Sequence, residues 1–424
     1  MARFVIRGGK RLGGVHCAPG NKNAALPMLA ASLLTDEPVV LHNVPLIEDV
    51  HTMLGILDHL GVSVDLRGHT VTLCAGGIRR TALPPDLCRK VRSSILFAGP
   101  MLARRGRVRL SPPGGDVIGR RRVDTHFEGL RQLGVTIAGQ HAYEMRARSL
   151  QAADIVLDEA SVTATENIVM AATLARGTTT VFNAACEPHV QDLCRMLVKM
   201  GARLAGIGTN ALRIEGVDSL RGVRHRVCPD HIDVASFVAA AAVTGGEITV
   251  ADCPPDSMNI LARYFQRLNL GWTLDGPTLH RPAGQRLRVR NDLGAAIPKI
   301  EDGVWPAFPS DLMSVAIVLA TQARGTVLFF EKMFESRMYF VDRLIEMGAR
   351  IVQCDPHRVV VIGPAHLHGM HLTSPDIRAG MALVLAALCA RGQSVIDNAQ
   401  VIDRGYERIE CALRRLGADI EREK

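Results

Sequence analysis

The sequence predicts an α/β fold assembled from six copies of one unit, and three recurring features predict it. A Leu-Gly or Met-Gly step into a β-rich run occurs as LGVSV at Leu60, LGVTI at Leu133, MGARL at Met200, LGWTL at Leu270, MGARI at Met347 and LGADI at Leu416. A second β-rich segment precedes each step: EPVVLHNVP, GRVRLSPPG, GTTTVFNAA, GEITVADCP, GTVLFFEKM and GQSVIDNAQ. Ahead of each of these lies an apolar run: NAALPMLAASLL, SSILFAGPMLA, TENIVMAATLA, VASFVAAAAVT, LMSVAIVLATQA and IRAGMALVLAALCA.

Each piece follows from its residues. The apolar runs lack a polar stripe, so they predict helices buried on all sides. The β-branched segments after them predict strands. Between strand and step lies an amphipathic stretch, read as a surface helix, and the glycine of each step is its expected left-handed C-cap. Units of about 70 residues are too long for a solenoid repeat, so they predict compact subdomains, grouped most economically three plus three.

One interval is longer, where RVRNDLGAAIPKIEDGVWPAFPSD adds residues rich in Pro, Gly and charge. It reads as a loop whose closing turn starts the next helix near Ser310 or Asp311. The plainest role for Asp311 is then N-cap of that helix.

With 424 residues, of which 47 % are hydrophobic, the chain can bury large cores in about two or three domains. Its ten cysteines are scattered, with no Cys-x-x-Cys pair and no grouping with histidine at zinc spacing. Neither a disulfide framework nor a metal site is expected, and a reducing cytoplasm fits. The start, MARFVIRGGKRLGG, does not read as a signal peptide. The most apolar stretches, Phe237 to Val243 and Ala382 to Ala390, fall short of the roughly 20 residues that cross a bilayer. Buried helices, and no membrane partner, are expected.

A net charge of +8 with dispersed Lys and Arg, and only 4 % aromatic residues, leaves few stacking platforms for nucleic acid. Small anionic ligands are the better match.

Polar residues peculiar to one unit mark candidate chemistry. From Ser111 to Leu130 the chain reads SPPGGDVIGRRRVDTHFEGL. A swinging loop with a lone carboxylate, Asp116, opening into three arginines suits proton transfer to an anion, although Asp after Gly-Gly is also ordinary turn chemistry. Lys22-Asn23 sits before an apolar helix, where a lysine and free backbone amides could hold an anion. The spacing is not that of a nucleotide P-loop. Arg92, Arg121, Arg337, Arg378 and Arg404 recur at junctions between elements, each a solvated helix-start residue by default. Together they suit a ligand bearing phosphate and carboxylate.

At this point the runs GNKNAALPMLAASLLTDEPVVLHNVP, PPGGDVIGRRRVDTH, SVTATENIVMAATLARGTT, NAACEPHVQD, PDHID, PAFPSDL, MFESRM, SPDIRAGMALVLAAL and IDRGYERI come together. In order, spacing and identity they closely resemble the UDP-N-acetylglucosamine enolpyruvyl transferases, from about Arg7 onward. The resemblance implies an inside-out α/β barrel of two similar lobes, each of three βαβαββ units around buried helices. It implies one lobe of residues 22–229, a second of residues 1–21 plus 230–424, and an active site in the cleft.

The implied reaction moves the enolpyruvyl group of phosphoenolpyruvate to the 3-hydroxyl of UDP-N-acetylglucosamine through a tetrahedral intermediate, in peptidoglycan precursor synthesis. It needs an acid, a base and fixed cations, and neither metal nor cofactor. By match to motif, Lys22, Arg121 and Arg404 hold phosphoenolpyruvate, and Arg92, Arg337 and Arg378 complete the cationic lining. Asn23 bonds the amino sugar, and Asp311 is base or proton shuttle. Val123, Asp124, His126, Ser161, Glu187, Asp230, Phe334 and Glu335 line the cleft.

Where most members of that family carry cysteine at the loop tip, this chain has Asp116, the variant that goes with insensitivity to fosfomycin. Arg122, Thr163, His231 and Met313 also depart from the pattern, on the nucleotide side. Three alternatives stay open: transfer to another uridine nucleotide, transfer to shikimate phosphate, or a non-catalytic UDP-sugar-binding protein.

Overall fold

The computed structural model describes residues 2–115, 119 and 122–423. These divide into two compact units, one of residues 20–115 with 122–228, the other of residues 2–19 with 229–423.

Each unit holds three sheets, and all six sheets repeat one order: a parallel neighbour, the strand that follows a buried helix, then two antiparallel strands. The central strands are Val39–His42, Arg107–Leu110, Thr178–Phe182, Ile248–Ala251, Gly325–Phe330 and Gln393–Asp397, one within each β-rich segment quoted above. Five sheets have four strands; in the sixth, Ala82 bridges Arg109 in place of the parallel strand. The sheet around Gln393–Asp397 is completed by Arg3–Arg7, which pairs antiparallel with it and with Asp419–Glu423.

The apolar runs are helices Lys22–Ala31, Ala98–Arg105, Val162–Ala172, His231–Val243, Met313–Gln322 and Ile377–Cys389. In the last, every residue from Ile377 to Leu388 is buried, because Ala, Leu and Val face all directions. Among the described residues no helix is long and apolar enough to cross a membrane.

Five of the six step glycines adopt positive φ: Gly61, Gly134, Gly201, Gly348 and Gly417. The fourth does not. There the helix Pro255–Phe265 tightens into the turn Gln266–Leu268, and Asn269 takes the left-handed position at φ 56°. Asparagine tolerates that conformation better than other side chains, so the cap moves two residues ahead of Gly271.

Two helices of the 20–228 unit meet at Gly99. Its N–H donates to Asn167 Oδ1 at 2.6 Å, and a Cβ there would lie 2.3 Å from the Asn167 carbonyl oxygen. Gly99→Ala must push the helices apart, so we expect a loss of about 1–3 kcal/mol in denaturant unfolding. An unchanged midpoint would show that this contact is slack.

Candidate functional site

In the 229–423 unit the starts of three buried helices carry the candidate residues. Asp230 caps His231–Val243, accepting from the Ile232 and Asp233 amides at 2.8 and 3.4 Å. Asp376 caps Ile377–Cys389, accepting from the Arg378 and Ala379 amides at 2.8 and 3.0 Å. Before Met313–Gln322 comes a single turn, Ser310–Leu312, and here the N-cap reading of Asp311 is overturned. Its carboxylate instead accepts from Arg337 Nη2 at 3.1 Å and Arg378 Nη2 at 2.8 Å. Two guanidinium groups out of water outweigh two backbone amides as partners.

Both arginines are 6 % exposed, so the default reading of them as solvated surface residues fails as well. Burial works against the charge on Arg378, but Asp311, Tyr406 and Asp230 outweigh it and hold the group cationic. Arg337 lies with its guanidinium carbon 4.9 Å from the Phe334 ring centroid, next to exposed Glu335. Burial raises Asp230, opposed by Arg378 and its two amides. His231, 5.7 Å from Trp305 between ring centroids, is pushed down to about 4 by burial and is neutral at pH 7. Met313 is fully buried. Arg404 ends the turn Ala399–Arg404, which packs on the helix Ile377–Cys389.

Beneath this cluster lies a carboxyl group that the sequence reading missed. Glu331 is fully buried and accepts from Ser310 Oγ at 2.9 Å through both oxygens, and from the Met333 and Phe334 amides at 3.2 and 3.1 Å. Arg337 Nε stands 4.0 Å away. Burial, reinforced by neighbouring Asp302, raises Glu331 from 4.5 to about 9, so it holds a proton at pH 7. The unfolded chain releases that proton near the ordinary 4.5, and the folded chain keeps it until about 9. Folding therefore loses up to about 1.4 kcal/mol per pH unit as pH rises through this window. Glu331→Gln keeps the acceptor and cannot ionise, so its stability relative to the parent should climb between those limits. A difference that stays flat with pH would show that the proton shared with Asp302 does not reside on Glu331.

In the 20–228 unit, Asn21 caps Lys22–Ala31 and accepts from the Asn23 and Ala24 amides at 2.8 and 3.2 Å. This corrects the sequence reading: Lys22 lies inside the helix rather than before it, and two of the amides offered to an anion are already taken. Lys22 Nζ pairs with Asp49 Oδ2 at 2.8 Å, with both side chains largely buried. Arg92 opens the turn Arg92–Phe97 and donates to the Arg122 carbonyl at 2.6 Å. Ser161 caps Val162–Ala172 through the Ala164 amide.

His126 is set by its partners. Because the Gly99 amide requires Asn167 Oδ1, the Asn167 amide nitrogen faces the Ile95 carbonyl at 3.0 Å and His126 Nδ1 at 3.1 Å. Nδ1 is then the acceptor and Nε2 carries the proton, 3.1 Å from Thr163 Oγ1. Burial, then the charge of Arg92, pushes His126 down to about 3. Thr163, a departure from the family pattern, thus serves to hold this ring.

Arg122 pairs with Asp124 and Asp158 at 3.0 and 2.9 Å, and half-buried Val123 leads into the helix Asp124–Gln132. Half-buried Glu187 precedes Pro188–Lys199 and, after burial itself, is the second cause raising Glu166. Asp116 and Arg121 lie outside the described residues.

Within the 229–423 unit, Asp230, Asp311, Phe334, Arg337 and Arg378 therefore come together; within the 20–228 unit, Arg92, His126 and Ser161 flank one buried network. Asp49, Asn167, Asp302, Glu331 and Asp376 were missed. Only Asp376 left a sequence signal, as a capping residue just ahead of an apolar run.

A family model described as EPSP synthase (3-phosphoshikimate 1-carboxyvinyltransferase) matches residues 6–413. The UDP-N-acetylglucosamine 1-carboxyvinyltransferase of Treponema denticola is 52 % identical over 99 % of both chains. That of Bradyrhizobium diazoefficiens is 51 % identical over 99 % of this chain and 98 % of its own. Among solved structures, the enolpyruvyl transferase NikO from Streptomyces tendae superposes with a TM-score of 0.87 at 24 % identity, covering 99 % of this chain and 98 % of that one. EPSP synthase from Acinetobacter baumannii gives 0.77 at 18 % identity over the full length of both. At these identities the two structures speak for the fold.

Proposed function

The chain belongs to the enolpyruvyl transferase family and catalyses the reaction for which its relatives are named, and we propose that the residues gathered at the helix starts carry it out. The enolpyruvyl group of phosphoenolpyruvate passes to the 3-hydroxyl of UDP-N-acetylglucosamine, and phosphate leaves. The sugar oxygen attacks the central carbon while the methylene carbon gains a proton. The resulting tetrahedral adduct then loses that proton and phosphate together, which restores the double bond.

The observation that carries the residue assignment is the Arg337–Asp311–Arg378 clamp at three helix N-termini. Arg337 and Arg378, gripping the Asp311 carboxylate, are two buried and oriented guanidinium groups of the kind that bind phosphate and carboxylate. Lys22, Arg121 and Arg404 are assigned to phosphoenolpyruvate, with Arg92, Arg337 and Arg378 around them. Asn23 is assigned to the acetamido group, and Asp311 to the sugar hydroxyl as base or shuttle. Asp116 delivers the proton to carbon. His126, neutral with its proton on Nε2, is a hydrogen-bond donor rather than a charge. Val123, Asp124, Ser161, Glu187, Asp230, Phe334 and Glu335 shape the surroundings. This reading, with soluble, anionic substrates, suits a cytoplasmic enzyme with no metal and no nucleic-acid or membrane partner.

The test is phosphate release with phosphoenolpyruvate and a panel of acceptors: UDP-N-acetylglucosamine, other UDP-sugars, UMP and shikimate phosphate, with products read by mass spectrometry. Release should require UDP-N-acetylglucosamine and add an enolpyruvyl mass to it. Preference for another acceptor would reassign the nucleotide side, where Arg122, Thr163, His231 and Met313 depart from the pattern.

A further inference from the structure

At the end of the strand Gly325–Phe330 away from Glu331 lies a cavity of about 570 Å³, lined by Asn269, Arg288, Arg290, Asn291 and Arg324 beside Val289 and Gly325. Arg288 and Arg324 are register partners on two parallel extended segments, joined by Val289 N donating to the Arg324 carbonyl at 3.0 Å and Arg324 N to the Leu287 carbonyl at 3.1 Å. Register partners project their side chains to the same face, and residues two apart in a strand do so as well. Arg288 and Arg324 thus share one face, and Arg290 lines the same cavity. Like charges placed directly opposite repel, and a strand pair keeps them at the cost of its own stability unless a counter-charge is supplied.

Among the described residues the protein does not supply one. The lining has no Asp or Glu. Among the described residues neither Arg288 nor Arg324 has a carboxylate partner, and the nearby Asp292 is already paired with Arg267 at 3.0 Å. Arg290 is held in place by donating to Asn269 Oδ1 at 2.7 Å. The volume is that of a small-ligand site, and guanidinium groups bind phosphate in bidentate fashion. With no aromatic ring in the lining, recognition falls on the anionic groups rather than on a base.

We infer that this cavity binds a small polyanion carrying two or more phosphate groups, at a site separate from the Asp311 clamp. The strand Gly325–Phe330 begins at the cavity and ends beside Glu331, under Ser310. At about 3.3 Å per residue its length holds the two sites on the order of 20 Å apart. Occupancy would neutralise three repelling cations at the root of the strand whose far end supports Arg337. The inference does not depend on which acceptor the enzyme uses.

Inorganic pyrophosphate is the probe, titrated calorimetrically into the full chain at low salt. We expect saturable binding that weakens at least tenfold in Arg288→Gln or Arg324→Gln, disappears in the double variant and survives in Lys22→Ala. All the substituted arginines are exposed, so folding should be unaffected. Turnover without added pyrophosphate should match the parent in the double variant. The site is overturned if pyrophosphate does not saturate, if binding persists in the double variant, or if Lys22→Ala abolishes it. Loss of basal turnover in the folded double variant would equally overturn its separation from the catalytic residues.

Discussion

Asp311→Asn should lower the rate of phosphate release by about 10²–10⁴, the usual range for loss of a positioned acid or base. The substitution keeps the shape and one acceptor oxygen but removes the charge and the ability to take a proton. In the parent, Arg337 and Arg378 grip the two carboxylate oxygens separately, at 3.1 and 2.8 Å, so the group is oriented before substrate arrives. Removing it leaves both cations buried, with Asp230 as a remaining counter-charge to Arg378. Breaking a buried pair costs up to about 3–5 kcal/mol, and the 27 % exposure of the Asp311 side chain puts this case below that. Unfolding curves measured beside the kinetics separate the two effects. A folded Asn variant with near-parental turnover removes Asp311 from the proton chemistry.

The second large effect is expected at Asp116. Replacing the loop carboxylate by Ala removes the proposed donor of the carbon-bound proton, and turnover should fall by about 10²–10⁴. To donate near neutrality the group must titrate well above its ordinary value of about 3.9, a shift that desolvation favours and neighbouring arginines oppose. The alkaline limb of the pH–rate profile, where the donor loses its proton, should therefore move in Asp116→Glu and vanish in Asp116→Ala. Fosfomycin, an epoxide that alkylates a thiolate at this position, should leave the parent unlabelled. Asp116→Cys should be labelled at residue 116 and inhibited. Covalent labelling of the parent at Asp116, or full turnover in the Ala variant, contradicts the assignment.

Much of this architecture was readable because each unit writes its own punctuation. The central strands all fall in the β-rich segments, and the buried helices announce themselves by having no polar face. Caps were readable wherever a short polar residue stands before an apolar run, as at Asn21, Ser161, Asp230 and Asp376. Where two residues compete for one backbone role, sequence order misleads. Asn269 takes the left-handed turn assigned to Gly271, and Asp311 gives up the cap assigned to it because two arginines from other segments reach it. Those arginines stand 26 and 67 residues away in the chain. No local pattern encodes such distances. Glu331 is the sharpest case: a lone acid in GTVLFFEKM looks like the end of a strand, and only the packing of Ser310 and Asp302 around it makes it a protonated support.

The strand Arg3–Arg7 lies between Gln393–Asp397 and Asp419–Glu423, so the earliest and latest segments of the chain are zipped into one sheet. A ribosome delivers residues 20–228 with all three of their sheets long before that sheet can close. The opening strand must then wait, with Phe4 and Ile6 unsheltered, for some four hundred residues of synthesis. Pairing over so long a stretch of chain carries a large loop-closure cost, which slows formation of this sheet relative to sheets built from local contacts. It also brings Arg3 beside Glu423 in register, so the sheet closes only through residues more than four hundred positions apart.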